Sequence, residues 1–175
     1  MKLLDKNVDS IIFDLDGTLW DATIACAMAW NKSFEQCGYE NNKIDRKLIK
    51  KLSGSPLDIV LTQYFTFIDG KDYDKIIESY RKNEPIFMKK IGGRLFPNEK
   101  DTLKILSTHK KLFIVSNCLK GYIENFLFKK KLSTIFTGYK SSEGTGLTKS
   151  ENIRQVIDEY KLKSPIVCRG YKMGL

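Results

Sequence analysis

Asp14-Leu15-Asp16-Gly17-Thr18-Leu19, directly after the apolar run Ile11-Ile12-Phe13, decides how this chain is read. The apolar run predicts a buried strand over 10–14, and strand side chains alternate in direction. Asp14 and Asp16 therefore face one crevice while Leu15 turns away, and Gly17 lets the chain turn at once. One short segment thus supplies a nucleophilic carboxylate, a second carboxylate for proton work and a site for a hard cation. A calcium loop would need D-x-D-x-D-G and a glutamate at its twelfth position. Here Gly17 comes two residues too early and the twelfth residue is Ala25, which rules that loop out. On average usage D-x-D-G-T arises by chance in about one chain of this size in a thousand, so a plain polar turn after a strand is the weaker reading.

Bulk properties narrow the classes around that segment. The chain has 175 residues, enough for one core or a small core with an insert. Hydrophobic content of 42% and charged content of 29% are those of a soluble globular protein. No apolar stretch has membrane-spanning length, and Met1 to Ser10 lacks the apolar centre of a secretory signal. The expected location is the cytoplasm, with no membrane partner. The four cysteines, Cys26, Cys37, Cys118 and Cys168, form no C-x-x-C pair, and His109 is the lone histidine, which argues against zinc and against a disulfide framework. Cys26 and Cys37 are expected to be buried thiols on one side of a helix. His109 reads as a helix-end residue rather than a catalytic base. The net charge is +9, but the lysines are dispersed, with only short clusters such as Lys129-Lys130-Lys131. Nucleic acid is therefore not an expected partner, and the positive surface suits attraction of anionic substrates.

Along the chain, residues 21–37 carry apolar spacing near 3.6 and stop at Gly38, which predicts a helix. Further helices are predicted over Ile44 to Leu52, from Ser55-Pro56-Leu57-Asp58 through Phe65, and over Tyr73 to Lys90 after a turn at Asp69-Gly70. No strand is predicted between about 20 and 90. After Gly92-Gly93 the texture changes. Asn98 is expected to cap a helix running to His109, and Leu112 to Val115 reads as a buried parallel strand. Tyr122 to Lys131 is helical, and Ile135 to Gly138 is a short strand. Thr148-Lys149-Ser150-Glu151 is a capping box opening a helix at Lys149, and Pro165-Ile166-Val167 starts another strand. Alternating strands and helices imply a parallel sheet, whose ligands bind at the carboxyl ends of the strands. Asp14 and Ser116 both follow apolar strand runs, so this architecture brings them together. Taken alone, Ser116 is an ordinary strand-end residue and Lys149 a solvated helix-start lysine. A cation there opposes the helix dipole unless an anion is also present.

With these residues in place, the chain resembles the haloacid dehalogenase superfamily, and within it the phosphoglycolate phosphatase-like group with a helical cap. Asp14-Leu15-Asp16-Gly17-Thr18-Leu19 is similar to the family's first motif, Ile114-Val115-Ser116-Asn117 to the second, and Lys149 in Gly146-Leu147-Thr148-Lys149 to the third. The resemblance implies an α/β fold: a Rossmann-like parallel-sheet core over 1–19 and 91–175, interrupted by an all-α helical cap over 20–90, with the last core strands missing. It implies a Mg²⁺-dependent phosphatase acting on a small phosphorylated metabolite through an aspartyl-phosphate. Asp14 would be the nucleophile, and Asp16 the proton donor and then the base. Mg²⁺ would be held by Asp14 and by the main-chain carbonyl of Asp16. Ser116, Asn117, Thr18 and Lys149 would hold the phosphate, and Gly54 and Ser55 would form a substrate-facing cap loop. Two alternatives stay open: a non-catalytic or decayed phosphate-binding protein, and a phosphotransferase of the β-phosphoglucomutase type. Trp20 and Asp21 are expected to pack at the hinge rather than take part in chemistry. Neither the oligomeric state nor the particular substrate is legible.

The family's fourth motif, G-D-x-x-x-D, is expected after the strand at Pro165-Ile166-Val167, but Cys168 to Leu175 contains no acid. One coding of that tail, read one base out of frame, gives Val-Gly-Asp-Thr-Lys-Trp-Asp, with aspartates where Gly170 and Gly174 stand. The resulting expectation is a frameshifted, truncated form of a longer phosphatase. It would have impaired turnover, because ligand charge sets cation affinity.

Overall fold

The computed structural model describes residues 7–170. In chain order the elements are β1 (Ser10–Phe13), β2 (Trp20–Asp21), α1 (Thr23–Cys37), α2 (Arg46–Leu52), α3 (Leu57–Ile59), α4 (Tyr73–Lys90), β3 (Arg94–Leu95), α5 (Glu99–Ser107), β4 (Lys111–Ser116), α6 (Tyr122–Lys130), β5 (Gly138–Ser141), α7 (Ser142–Thr145), α8 (Lys149–Glu159) and β6 (Pro165–Cys168). A π-helical turn, Val60–Tyr64, continues α3, and a 3₁₀ turn, Gly70–Asp72, leads into α4. These residues divide into two compact units: 7–21 with 95–170, and a second built on Ala22–Arg94.

The first unit is a four-stranded sheet in the order β5-β4-β1-β6, and every pairing is parallel. β1 sits inside, with Phe13 opposite Ile114 on one side and Cys168 on the other. β1 is buried along its whole length and β4 from Leu112 onward, as expected of parallel strands covered on both faces. One face packs on α8: Ile12, Phe113, Val115, Val156 and Leu162 form a cluster joined by Ile153, Ile157 and Tyr160. Gly138 makes room for that packing, since a Cβ there would lie 2.8 Å from the Tyr160 hydroxyl. The Trp20 ring is fully buried between Tyr122 and Phe126, with centroids 5.4 and 5.0 Å away.

The second unit is helical. Its core is aromatic: Trp30 stacks on Tyr80 at 3.8 Å, and Phe65 meets both Trp30 and Phe34 edge-on. The buried Asn83 of α4 donates to Ser33 Oγ (3.0 Å) and Gln36 Oε1 (2.8 Å) of α1. Asn31 holds the main chain of Ile44 in both directions, through its NH₂ to the carbonyl and its Oδ1 to the N–H, each 2.8 Å. α1 ends at Gly38, whose φ of 90° is the left-handed closure that glycine permits.

Several sequence expectations change. The strand expected at Ile135–Gly138 begins at Gly138, because Ile135 and Thr137 are engaged in the turn before it (Ile135 N–H to Leu132 O, 2.9 Å; Thr137 N–H to Leu112 O, 2.7 Å). Two short strands, β2 and β3, flank the helical unit where none was expected. α2 starts at Arg46 rather than Ile44, with Asp45 as the cap whose side chain accepts from Leu48 N–H. Ser55 does not cap α3; Pro56 occupies that position in an extended conformation. Asn98 precedes α5 in a left-handed conformation with no side-chain cap, and Glu99 instead accepts from Phe96 N–H at 2.8 Å. Cys37 is buried as expected, whereas Cys26 is half-buried. No helix among the described residues is long and apolar enough to cross a membrane.

Candidate active site

Parallel pairing aligns the carboxyl ends of the strands, and the polar residues of the sheet unit converge there. β1 ends at Phe13, and the next residue, Asp14, donates its N–H to Cys168 O (2.9 Å), which extends the β1–β6 ladder by one residue. Its side chain is nearly buried. Asp14 Oδ1 accepts from Leu15 N–H at 2.8 Å and lies 2.5 Å from Lys149 Nζ. Both partners of that ion pair are shielded, with side-chain exposures of 12% for Lys149 and 10% for Asp14. Shielding of this degree strengthens an ion pair relative to one in water.

Lys149 reaches Asp14 from the first turn of α8. Thr148 starts that helix with the capping box read from the sequence: its hydroxyl accepts from Glu151 N–H, and the Glu151 carboxylate accepts from Thr148 N–H. The box fixes the direction in which α8 leaves the loop, and therefore the origin of the lysine side chain.

Asp16 occupies the tight turn that Gly17 makes possible at φ 74°. Leu15 O accepts from Thr18, Leu19 and Trp20 N–H, and Gly17 N–H donates to Trp20 O at 2.9 Å. The turn brings the Trp20 indole back onto Asp16: its Nε1–H donates to Oδ1 at 3.1 Å. A second donor arrives from far along the chain, the Tyr122 hydroxyl, at 2.6 Å from the same oxygen. Burial pushes the Asp16 carboxyl up to about 6; the Tyr122 hydrogen bond works against that shift and the Asp14 charge adds to it. Two neighbouring carboxyls with unlike surroundings are what division into nucleophile and proton carrier requires.

The other sequence-chosen residues fall as follows. Ser116 closes β4, is buried, and stands in register with Ser141 of β5. Asn117 follows it, and its Oδ1 accepts from the Ser142 hydroxyl at 2.8 Å. That bond ties the loop after β4 to α7, as does Lys120 N–H donating to Glu143 Oε2 at 3.0 Å. Thr18 uses its hydroxyl to accept from Gly170 N–H at 2.5 Å. Gly54 and Ser55 belong to the helical unit, in the turn between α2 and α3, where Ser55 N–H donates to Leu52 O. Sequence reasoning missed Tyr122, Ser142 and Glu143, and it assigned Trp20 to packing alone. Trp20 was within reach, four residues beyond Asp16 across a glycine turn; Tyr122 lies 106 residues away with no local signal.

Of the aspartates that the shifted reading frame would place in the tail, the one at Gly174 lies outside the described residues. At Gly170 the described backbone leaves no room for a side chain: a Cβ there would lie 2.1 Å from the Gly17 carbonyl oxygen. Among the described residues no group of three or more His, Cys, Asp or Glu side chains is placed to hold a metal. The donors that the resemblance names, the Asp14 carboxylate and the Asp16 main-chain carbonyl, are hard oxygens of the kind Mg²⁺ takes, usually with one or two carboxylates and the rest from water and phosphate.

Comparison with known proteins bears on the family and the fold. No curated protein matches the chain. Among solved structures, a haloacid dehalogenase-like family hydrolase from Streptococcus pneumoniae is 25% identical, with a TM-score of 0.77 over 92% of this chain and 75% of that one. A haloacid dehalogenase-like hydrolase from Bacteroides fragilis superposes with a TM-score of 0.80 at 22% identity, over 93% of this chain and 78% of that one. A predicted phosphoglycolate phosphatase from Haemophilus somnus does so at 0.76 with 18% identity, over 93% and 77%. The latter two share the fold. The family model for haloacid dehalogenase-like hydrolases matches residues 11–168, from the first residues of β1 to the last of β6, and the chain accordingly belongs to the haloacid dehalogenase-like hydrolases.

Proposed function

We propose that this hydrolase is a phosphatase, cleaving a phosphomonoester of a small metabolite through an aspartyl-phosphate. The observation that carries the reading is the shielded Asp14–Lys149 pair, 2.5 Å apart at the carboxyl end of an interior parallel strand, with a second carboxyl two residues on. Asp14 attacks phosphorus while Lys149 offsets the negative charge gathered there. Asp16, whose carboxyl holds a proton to about pH 6, gives that proton to the departing alkoxide and then takes one from the attacking water. Ser116 at the end of β4, with the adjoining main chain of Asn117, holds the phosphoryl oxygens. Phosphoryl transfer depends mainly on positioning and charge compensation, and these groups supply both. Asp14 and the main-chain carbonyl of Asp16 would hold Mg²⁺, which when bound neutralises charge on the phosphoryl oxygens.

The test is hydrolysis of 4-nitrophenyl phosphate by mass-verified protein, with and without Mg²⁺. The expected result is Mg²⁺-dependent release that Asp14→Asn abolishes, together with an acid-stable, hydroxylamine-sensitive phosphoryl group trapped on Asp14. The sparse set of acidic ligands among the described residues favours a second reading, a phosphate-binding protein without turnover. Saturable phosphate binding with no release and no trapped intermediate would establish that reading instead. Phosphoryl transfer to a sugar phosphate in preference to water would point to a mutase.

A further inference from the structure

We propose that Tyr122 is a positioning residue for Asp16: with the Trp20 indole it clamps one carboxyl oxygen and so assigns the transferable proton to the other. The inference rests on the phosphatase reading above. Both donors meet Oδ1, Tyr122 through its hydroxyl at 2.6 Å and Trp20 through Nε1–H at 3.1 Å. Among the described residues no donor meets Oδ2. A carboxyl oxygen has two in-plane lone pairs, so two accepted hydrogen bonds saturate Oδ1. In either charge state Oδ2 is the oxygen left open: ionised, the group keeps its unengaged lone pairs there, and protonated, it carries the hydrogen there, because Oδ1 already receives two.

The donors themselves have little freedom. The Trp20 ring is fully buried and meets the Tyr122 ring edge-on at 5.4 Å, with the planes at 81°. Phe126, one turn further along α6, meets Trp20 from another side at 5.0 Å. Tyr122 is buried at the first position of α6, directly after Gly121, whose φ of 88° sets the entry of that helix. The ring positions are fixed by packing, so the two polar tips converge at a fixed point, and rotation of the carboxyl group about its Cβ–Cγ bond is blocked. An acid that must meet a departing oxygen within hydrogen-bond reach gains from such restraint.

Tyr122→Phe removes one oxygen atom and keeps the ring. Two readouts judge the clamp. The first is kcat/KM for glycerol 2-phosphate against 4-nitrophenyl phosphate. An alkoxide must be protonated as it leaves, whereas 4-nitrophenolate leaves as the anion. The expected loss is about tenfold or more for the alkyl ester and no more than about threefold for the aryl ester, on the scale of general acid contributions. The second readout needs no turnover: the ¹⁵N–¹H resonance of the Trp20 indole moves in Tyr122→Phe and in Asp16→Ala, while that of Trp30 stays. Equal losses on both esters, or a stationary Trp20 resonance in a variant with an unchanged melting temperature, overturn the proposal. If the parent protein cleaves neither ester, the phosphatase reading fails, and the resonance alone then decides whether the clamp exists.

Discussion

In the helical unit the buried contacts that stand out are between rings: Trp30, Phe34, Phe65, Phe67 and Tyr80 form one cluster. In the sheet unit, apolar strands carry at their carboxyl ends a nearly buried ion pair, a carboxyl pushed up to about 6, and side chains bonded across the loops. Ring packing supports stability and tolerates change of detail, because it depends on area and shape. Buried charge depends on each partner being present, and removal of one leaves the other uncompensated. Stability and chemistry therefore fail in different ways in the two units.

That contrast can be broken by substitution. The largest expected effect is in the rings. Trp30→Ala removes the ring that touches Phe34, Phe65 and Tyr80, and should lower unfolding free energy by roughly 3–5 kcal/mol in urea titrations. A loss under about 1 kcal/mol would show that the ring cluster is not what holds that unit. Next comes Lys149→Met, which keeps the length of the side chain and leaves Asp14 without its cation. A loss of roughly 3 kcal/mol is expected in urea titrations. A loss under about 1 kcal/mol would show that the Asp14 carboxylate does not depend on this cation.

The third prediction concerns pH. Burial pushes Glu99 up to about 7, against the hydrogen bond from Phe96 N–H, and its Oε1 is buried with no hydrogen-bond partner. The native state therefore keeps this proton in a range where the unfolded chain, ionising near 4.5, has lost it. The stability contributed by the protonated group is complete below about 4.5 and is lost as pH rises toward about 7. Asp16 acts in the same sense up to about 6. Glu99→Gln should match the parent at low pH and exceed it at mildly alkaline pH by roughly 1–2 kcal/mol, a figure reduced for partial exposure. Parallel melting curves of the two proteins from acid to alkaline pH would contradict the assignment. The smallest effect is expected from Thr148→Ala, which removes half of the capping box and should cost about 1 kcal/mol. If the box also aims Lys149, hydrolysis falls further than this stability loss explains.

The comparison also shows what a sequence can disclose. Interactions between near neighbours were legible. The capping box at Thr148 and Glu151 spans one turn and reads correctly, as do the limits of α4 and the glycine stop of α1. Ile11-Ile12-Phe13 marked β1 because an interior parallel strand must be apolar on both faces. β5 escaped for the opposite reason. It lies at the edge of the sheet, and Gly138-Tyr139-Lys140-Ser141 is half-exposed, so its composition resembles that of a loop while the apolar Ile135-Phe136 before it resembles a strand. In the site, Asp14 and Lys149 were legible through a family pattern, although their meeting depends on the sheet. Tyr122 was not, because its value lies in one hydroxyl hydrogen placed by ring packing 106 residues from its acceptor.

Strand order also sets the sequence of events during synthesis. Ser10 of β1 waits for Lys111 and then for Pro165 before both its neighbours exist. Every residue of the ring cluster, from Trp30 to Tyr80, has by then left the ribosome. Helices and their local contacts form quickly, whereas pairings between distant segments form slowly. Asp14, made before the residues that meet it from β6 and α8, is thus among the last to acquire its full surroundings, because Lys149 and Cys168 emerge long after it.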